Sequence, residues 1–351
     1  MKRAIRIIYV MLLVVAMIAG EMFSILSTRG KSLWATVFAV VGLLLALILA
    51  PTVHELGHIL FGKTQGMRVK YAKFSFIRLQ ETDGKLKVSF ASPFLADETQ
   101  MIPRTSGNMR HRALIYSAGG LVIGGIYMLL TAALAIVLAL LKVEAAFLFW
   151  GGLPYAAYLF FLNLPPFDYA DGKTDMLVLM GLQRCEGEEK AFVYAMEIFG
   201  SLSEGKSFSE VDEKYYYDLP VLPEDTPMYA IMHDLRYRLE IEKGNFDGAA
   251  DKINRLAASE YLSPAEVEMT AAEITYMHAV GEDVERMEKS LPLCEGYLKN
   301  GTASTHRIMA AVYKARGDVE KFEEERLAAE NALKNCLKGE AKFEKILLSR
   351  L

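Results

Sequence analysis

The stretch Pro51-Thr52-Val53-His54-Glu55-Leu56-Gly57-His58 sets two imidazoles four residues apart, with a carboxylate next to the first. On a helix, residues four apart share a face, so His54 and His58 can grip a single ion. Glu55 lies one position on, near enough to touch a water at that ion without being a ligand. Zn2+ lowers the pKa of bound water from near 16 to about 7, where a carboxylate can take the proton. This is the His-Glu-x-x-His arrangement of metal-assisted peptide hydrolysis. On a soluble helix it can be a surface coincidence. Here it closes a run, Leu33 to Ala50, that carries no charge at all. Ionisable groups inside a membrane cost of the order of 3 kcal/mol each and mark function by default.

A catalytic zinc needs a third protein ligand and one open position. His233, His278 and His306 lie far along the chain, and His111 is flanked by Arg110 and Arg112. A better source is "NLPPFDYADGKTD", residues 163–175, which follows a later apolar run. There Pro165 and Pro166 end the helix, and Asp168, Asp171 and Asp175 come at once.

Four apolar runs could cross a bilayer, each about 20 residues or longer: Ile5 to Leu26, Leu33 to about Phe61, about Ala113 to Leu141, and Ala145 to Leu164. The first follows "MKR" and reads as an uncleaved signal-anchor helix rather than a signal peptide. Pro51 cannot donate to Leu47 and is expected to kink or restart the second. His54 stands about 32 Å from Leu33 along that helix, near one membrane face. Residues 62–112 carry ten Lys and Arg, against Lys142 alone between the third and fourth runs. That bias places the amino terminus, the 62–112 segment and everything after the fourth helix in the cytosol. The chain thus reads as a multi-pass protein of the plasma membrane with both termini in the cytosol.

Charge divides the chain. Residues 1–172 are basic, with a balance of +7, and residues 173–351 acidic, at −11. An acidic half excludes nucleic acid as a partner, because phosphate binding needs a basic face. Cys185, Cys294 and Cys336 are odd in number and widely spaced, which argues for reduced thiols. Between residues 66 and 92, "VKYAKFSF" and "KLKVSF" alternate with period two around the turn-like "ETDG", predicting a hairpin. Its free edge could dock another strand. Beyond Pro227, Gly244, Gly281 and Gly317 recur 37 and 36 residues apart between amphipathic helices, close to the period of tetratricopeptide-type pairs.

The pairing of His54-Glu55-Leu56-Gly57-His58 with Asn163-x-x-Pro166-x-x-x-x-Asp171-Gly172 resembles the site-2 protease family of intramembrane zinc metalloproteases. The resemblance covers residues 33 to about 175. It implies one Zn2+ per chain held by His54, His58 and Asp171, Glu55 as general base, and Asn163 in the substrate cleft. "YSAGGLVIGG" in the third run is similar to the family's small-residue segment, and the strands at 66–92 match its membrane-associated hairpin. "DYA" and Lys173 depart from the family pattern, which leaves Asp168 or Asp175 as competitors for the metal.

The expected architecture is an α-helical polytopic membrane protein with a small membrane-associated β-hairpin, plus an all-α, tetratricopeptide-like soluble domain. Its divisions are an anchor at 1–32, a metalloprotease core at 33–175, a helical linker region at 176–226 and a cytosolic repeat domain at 227–351. The expected activity is cleavage of a membrane-spanning or membrane-tethered protein or peptide. The repeats would bind the substrate's tail or a cytosolic regulatory protein. The alternative is a catalytically inactive zinc-containing scaffold that works through its repeats. A metal permease would need ionisable residues spread over more helices.

Overall fold

The computed structural model describes residues 2–82, 85–92, 97–169 and 172–351. The chain divides into two compact units. One comprises Met1–Glu81, Leu86–Met101 and Arg110–Arg184; the other comprises Thr82–Lys85, Ile102–Met109 and Cys185–Leu351.

The first unit holds helices α1 (Lys2–Leu26), α2 (Leu33–Thr64), α3 (Met109–Leu140) and α4 (Ala146–Asn163), with α5 (Asp175–Arg184) after them. Among the described residues, α1 to α4 are long and apolar enough to cross a membrane. Their packing is inverted relative to a water-soluble bundle. The buried positions of α2 are small, Ala35, Ala39, Gly42, Ala46 and Ala50, whereas Leu44, Leu45, Leu47 and Ile48 face outward. Small residues let helix backbones approach closely. A Cβ on Gly42 would run into the Leu148 carbonyl of α4, and one on Gly151 would run into the Ala39 carbonyl. α2 continues as helix through Pro51, so the expected restart is absent.

Strands β1 (Met67–Phe74), β2 (Ile77–Thr82), β3 (Lys85–Phe90) and β4 (Glu98–Pro103) form a sheet in the order β3-β2-β1-β4. β1 and β2 pair antiparallel, with Phe74 opposite Ile77. This differs from the expected hairpin. "VKYAKFSF" does not run on as one strand, because the chain reverses at Ser75, which adopts a left-handed φ of 54°. Of the expected turn at 81–84, Asp83 and Gly84 lie outside the described residues. Ala72 and Phe74 of β1 pack on Ile59 of α2, fastening the sheet to the histidine-bearing end of that helix. Lys73, 1% exposed, is neutralised by Asp97 at 2.6 Å.

In the second unit, α6 (Gly187–Glu204), the short α7 (Lys214–Tyr217), α8 (Pro227–Lys243), α9 (Phe246–Ala257), α10 (Pro264–Val280), α11 (Val284–Ser290), the short α12 (Glu295–Leu298), α13 (Ala303–Arg316), α14 (Val319–Ala332) and α15 (Lys338–Ser349) follow in turn. Ile198, Phe208 and Tyr216 share one hydrophobic core with Met232, Tyr276, Ile308 and Phe343. Of the segment expected as a linker region, 176–226, the part from Cys185 on therefore belongs to this unit, whereas the α5 part belongs to the first. The recurrent glycines do fall between paired helices. Gly244 and Gly317 end α8 and α13 in the left-handed conformation, and Asn245 and Asp318 cap the helices that follow. At the third turn Gly281 has a φ of −79° and Glu282 takes the left-handed position instead. The three cysteines are unpaired.

Candidate metal centre

His54 and His58 project from one face of α2 as the four-residue spacing requires, their ring centroids 5.2 Å apart. With Glu55 between them in sequence, all three are 8–9% exposed. Two features of α3 make room for them. Gly57 meets Gly119 backbone to backbone, so a Cβ on either would collide with the other's carbonyl. Gly120 faces the histidines directly. A Cβ there would sit 2.7 Å from His54 Cε1 and 2.7 Å from Asp175 Oδ2, and closer still to His58 Nε2. The small residues of "SAGG" thus leave a cradle that a single methyl group would fill.

Asp175 completes the group. After α4 ends, Asp168–Tyr169 (β5) pairs antiparallel with Gly172–Lys173 (β6). Thr174 then fixes the start of α5. Its hydroxyl donates to the Pro165 carbonyl at 2.8 Å and accepts from Leu177 N at 3.3 Å. Asp175 is therefore the first residue of a helix, where the dipole favours an anion. His54 Nε2 lies 3.2 Å from Asp175 Oδ2, and His58 Nε2 lies 3.5 Å from Oδ1.

The donor set fits a metal ion, and His54, His58 and Asp175 form a group that could hold one. A tetrahedral centre with bonds of about 2.1 Å spaces its ligands about 3.4 Å apart, which the two measured separations bracket. Asp175 Oδ2 is buried and makes no hydrogen bond, although an imidazole nitrogen stands beside it. An orphaned buried carboxylate oxygen calls for a partner, and a cation in the cradle would supply one. Burial works to raise the Asp175 pKa, but the two imidazoles outweigh it and hold the carboxyl below the usual carboxylate range. His58 Nδ1 lies 3.0 Å from the Tyr116 carbonyl, a contact that fixes the ring and leaves Nε2 free for metal.

Of the other sequence candidates, Asp168 does not belong to this group. Asn163 is the last residue of α4, and its Nδ2 donates to the Leu159 carbonyl at 3.2 Å. Asp168 is exposed in β5. Asp171, the ligand that the family resemblance implies, lies outside the described residues. Tyr116 was not anticipated, since a carbonyl partner leaves no mark on sequence. Asp175 had a local signal: Thr174-Asp175 before the apolar "MLVLMGL" is helix-start chemistry. Searches against family models, curated proteins and solved structures give no match for this chain.

Proposed function

We propose that this chain is a zinc-dependent intramembrane endopeptidase of the site-2 protease type. The observation that carries the reading is the convergence of His54, His58 and Asp175, with Glu55 alongside, at the end of an uncharged apolar helix. In this reading α1 to α4 span the membrane, since their exteriors are apolar and their contacts are made by small residues. The loop charges orient the metal centre toward the cytosol.

His54, His58 and Asp175 hold the metal. Zinc there supplies a Lewis acid that brings a water's pKa near 7 and polarises a carbonyl. Glu55 takes the water's proton and hands it to the departing amine as the peptide bond breaks. Asn163 contributes a polar group to the substrate cleft. A helical substrate must unwind to expose its amides, and an edge of the sheet receives the unwound segment by strand addition. Two edges exist, β3 and β4. The paired helices of residues 227–351 form a tetratricopeptide-like array that binds the substrate's tail or a cytosolic regulatory protein.

Glu55→Gln tests the reading. The variant keeps zinc but loses at least about a hundredfold in turnover, so uncleaved single-span proteins accumulate in the membrane proteome of cells carrying it. A cellular phenotype that is untouched by Glu55→Gln but abolished by deleting residues 176–351 would instead favour the scaffold reading.

A further inference from the structure

We infer that Arg110 is a positioning residue for Asp175, an inference that rests on the metal site proposed above. His54 and His58 stand on one continuous helix, so α2 itself sets their spacing. Asp175 reaches the same point from α5, a separate helix far along the chain. Its place relative to the histidines has to be set by a third element.

That element is the first turn of α3. Positions 110 and 112 are two apart, which on a helix turns them about 200° around the axis, onto opposite sides. The two arginines accordingly reach different helices. Arg112 Nε donates at 2.9 Å to the carbonyl of Gln65, the residue that caps the end of α2. Arg110 Nε donates to the Leu182 carbonyl at 3.0 Å, and its Nη2 donates to the carbonyl of Gln183. Both carbonyls belong to the last turn of α5. The helices that carry the ligands are thus each held at their carboxyl end by the start of α3.

The last four carbonyls of a helix lack partners within it, and the dipole there favours a cation. A guanidinium meets both needs, and its planar fork spans two neighbouring carbonyls where an ammonium has no such geometry. Asp175 and Leu182 are separated by only about 10 Å of helix. At the front of α5, Thr174 bonds the Pro165 carbonyl; at the back, Leu182 is 0% exposed. Arg110 ties that back end to the helix whose Gly120 faces His54, His58 and Asp175. A turn of α5 about its axis, or a slide along it, would carry Asp175 off the histidines. A fork across two successive carbonyls opposes both motions. Ligands must be held within about 0.5 Å of their working geometry, so such a restraint matters to the metal.

The experiment uses purified full-length protein in detergent, with zinc and cobalt(II) as the probes. Competition with a chelator gives the zinc Kd of the parent, Arg110→Met and Arg110→Lys. Arg110→Met keeps an unbranched stem without its donors and should weaken zinc binding about 10-fold or more. Arg110→Lys keeps the charge but not the fork and should fall between the two. Cobalt(II) at saturation separates positioning from a general loss of stability. Partial unfolding lowers the amount of cobalt bound and leaves its visible spectrum unchanged, whereas a displaced Asp175 carboxylate alters the bands themselves. Arg110→Met should alter them. Parental zinc affinity in Arg110→Met, or weakened binding with an unchanged cobalt spectrum, would overturn the inference and leave the metal site standing. A parent protein that binds neither metal would sink the metal site and the inference with it.

Discussion

In the helical unit Arg307 is fully enclosed, and its guanidinium meets Glu273 at 2.7 and 3.0 Å and Glu344 at 2.7 Å. It also lies 4.1 Å from the centre of the Tyr276 ring, and Tyr237 donates to Glu273 at 2.8 Å. In the unit of apolar helices, His54, His58 and Asp175 are largely enclosed too, yet among the described residues the ion-pair partners of Asp175 are the two histidines, not an Arg or Lys. The first cluster carries its own cation and is closed by it. The second brings ligand atoms face to face around a space kept open by Gly120. Buried charge that is internally paired is a structural device. Buried ligand atoms without an internal cation could hold one.

Filling that space should produce the largest effect. Gly120→Ala places a methyl group against His54, His58 and Asp175, so zinc binding should disappear while the helical unit melts unchanged. Metal analysis with a thermal melt checks it. Zinc retained at the parental level would mean that the ligands meet elsewhere.

Arg307→Met sharpens the other side. It leaves Glu273 and Glu344 buried without their cation and should cost about 3–5 kcal/mol of stability. Adding Glu273→Gln and Glu344→Gln removes the stranded charges and should recover much of the loss. Denaturant unfolding measures both, and zinc content should stay parental throughout. A single variant as stable as the parent would show that the cluster is not internally closed.

How much of this was legible depends on the range of the interaction. His54 and His58 could be placed because a helix fixes residues four apart, and nothing distant was needed. The small-residue stripe of α2 is equally visible in its spacing. The choice among Asp168, Asp171 and Asp175 was not, because it depends on where a two-residue strand pair ends and α5 begins. β4 stayed hidden: Met101, Ile102 and Pro103 are buried in succession, which breaks the alternation that marks a half-buried strand. The reversal at Ser75 lacks the glycine or asparagine that usually signals a left-handed residue.

The central claim is that His54, His58 and Asp175 hold one zinc ion. The most direct test is the metal content of purified wild-type protein beside Asp175→Ala and Asp171→Ala, read by mass spectrometry of the metal. The expected result is one zinc per chain in the parent and in Asp171→Ala, and none in Asp175→Ala. Full zinc in Asp175→Ala, with loss in Asp171→Ala, would contradict the assignment and move the third ligand four residues back.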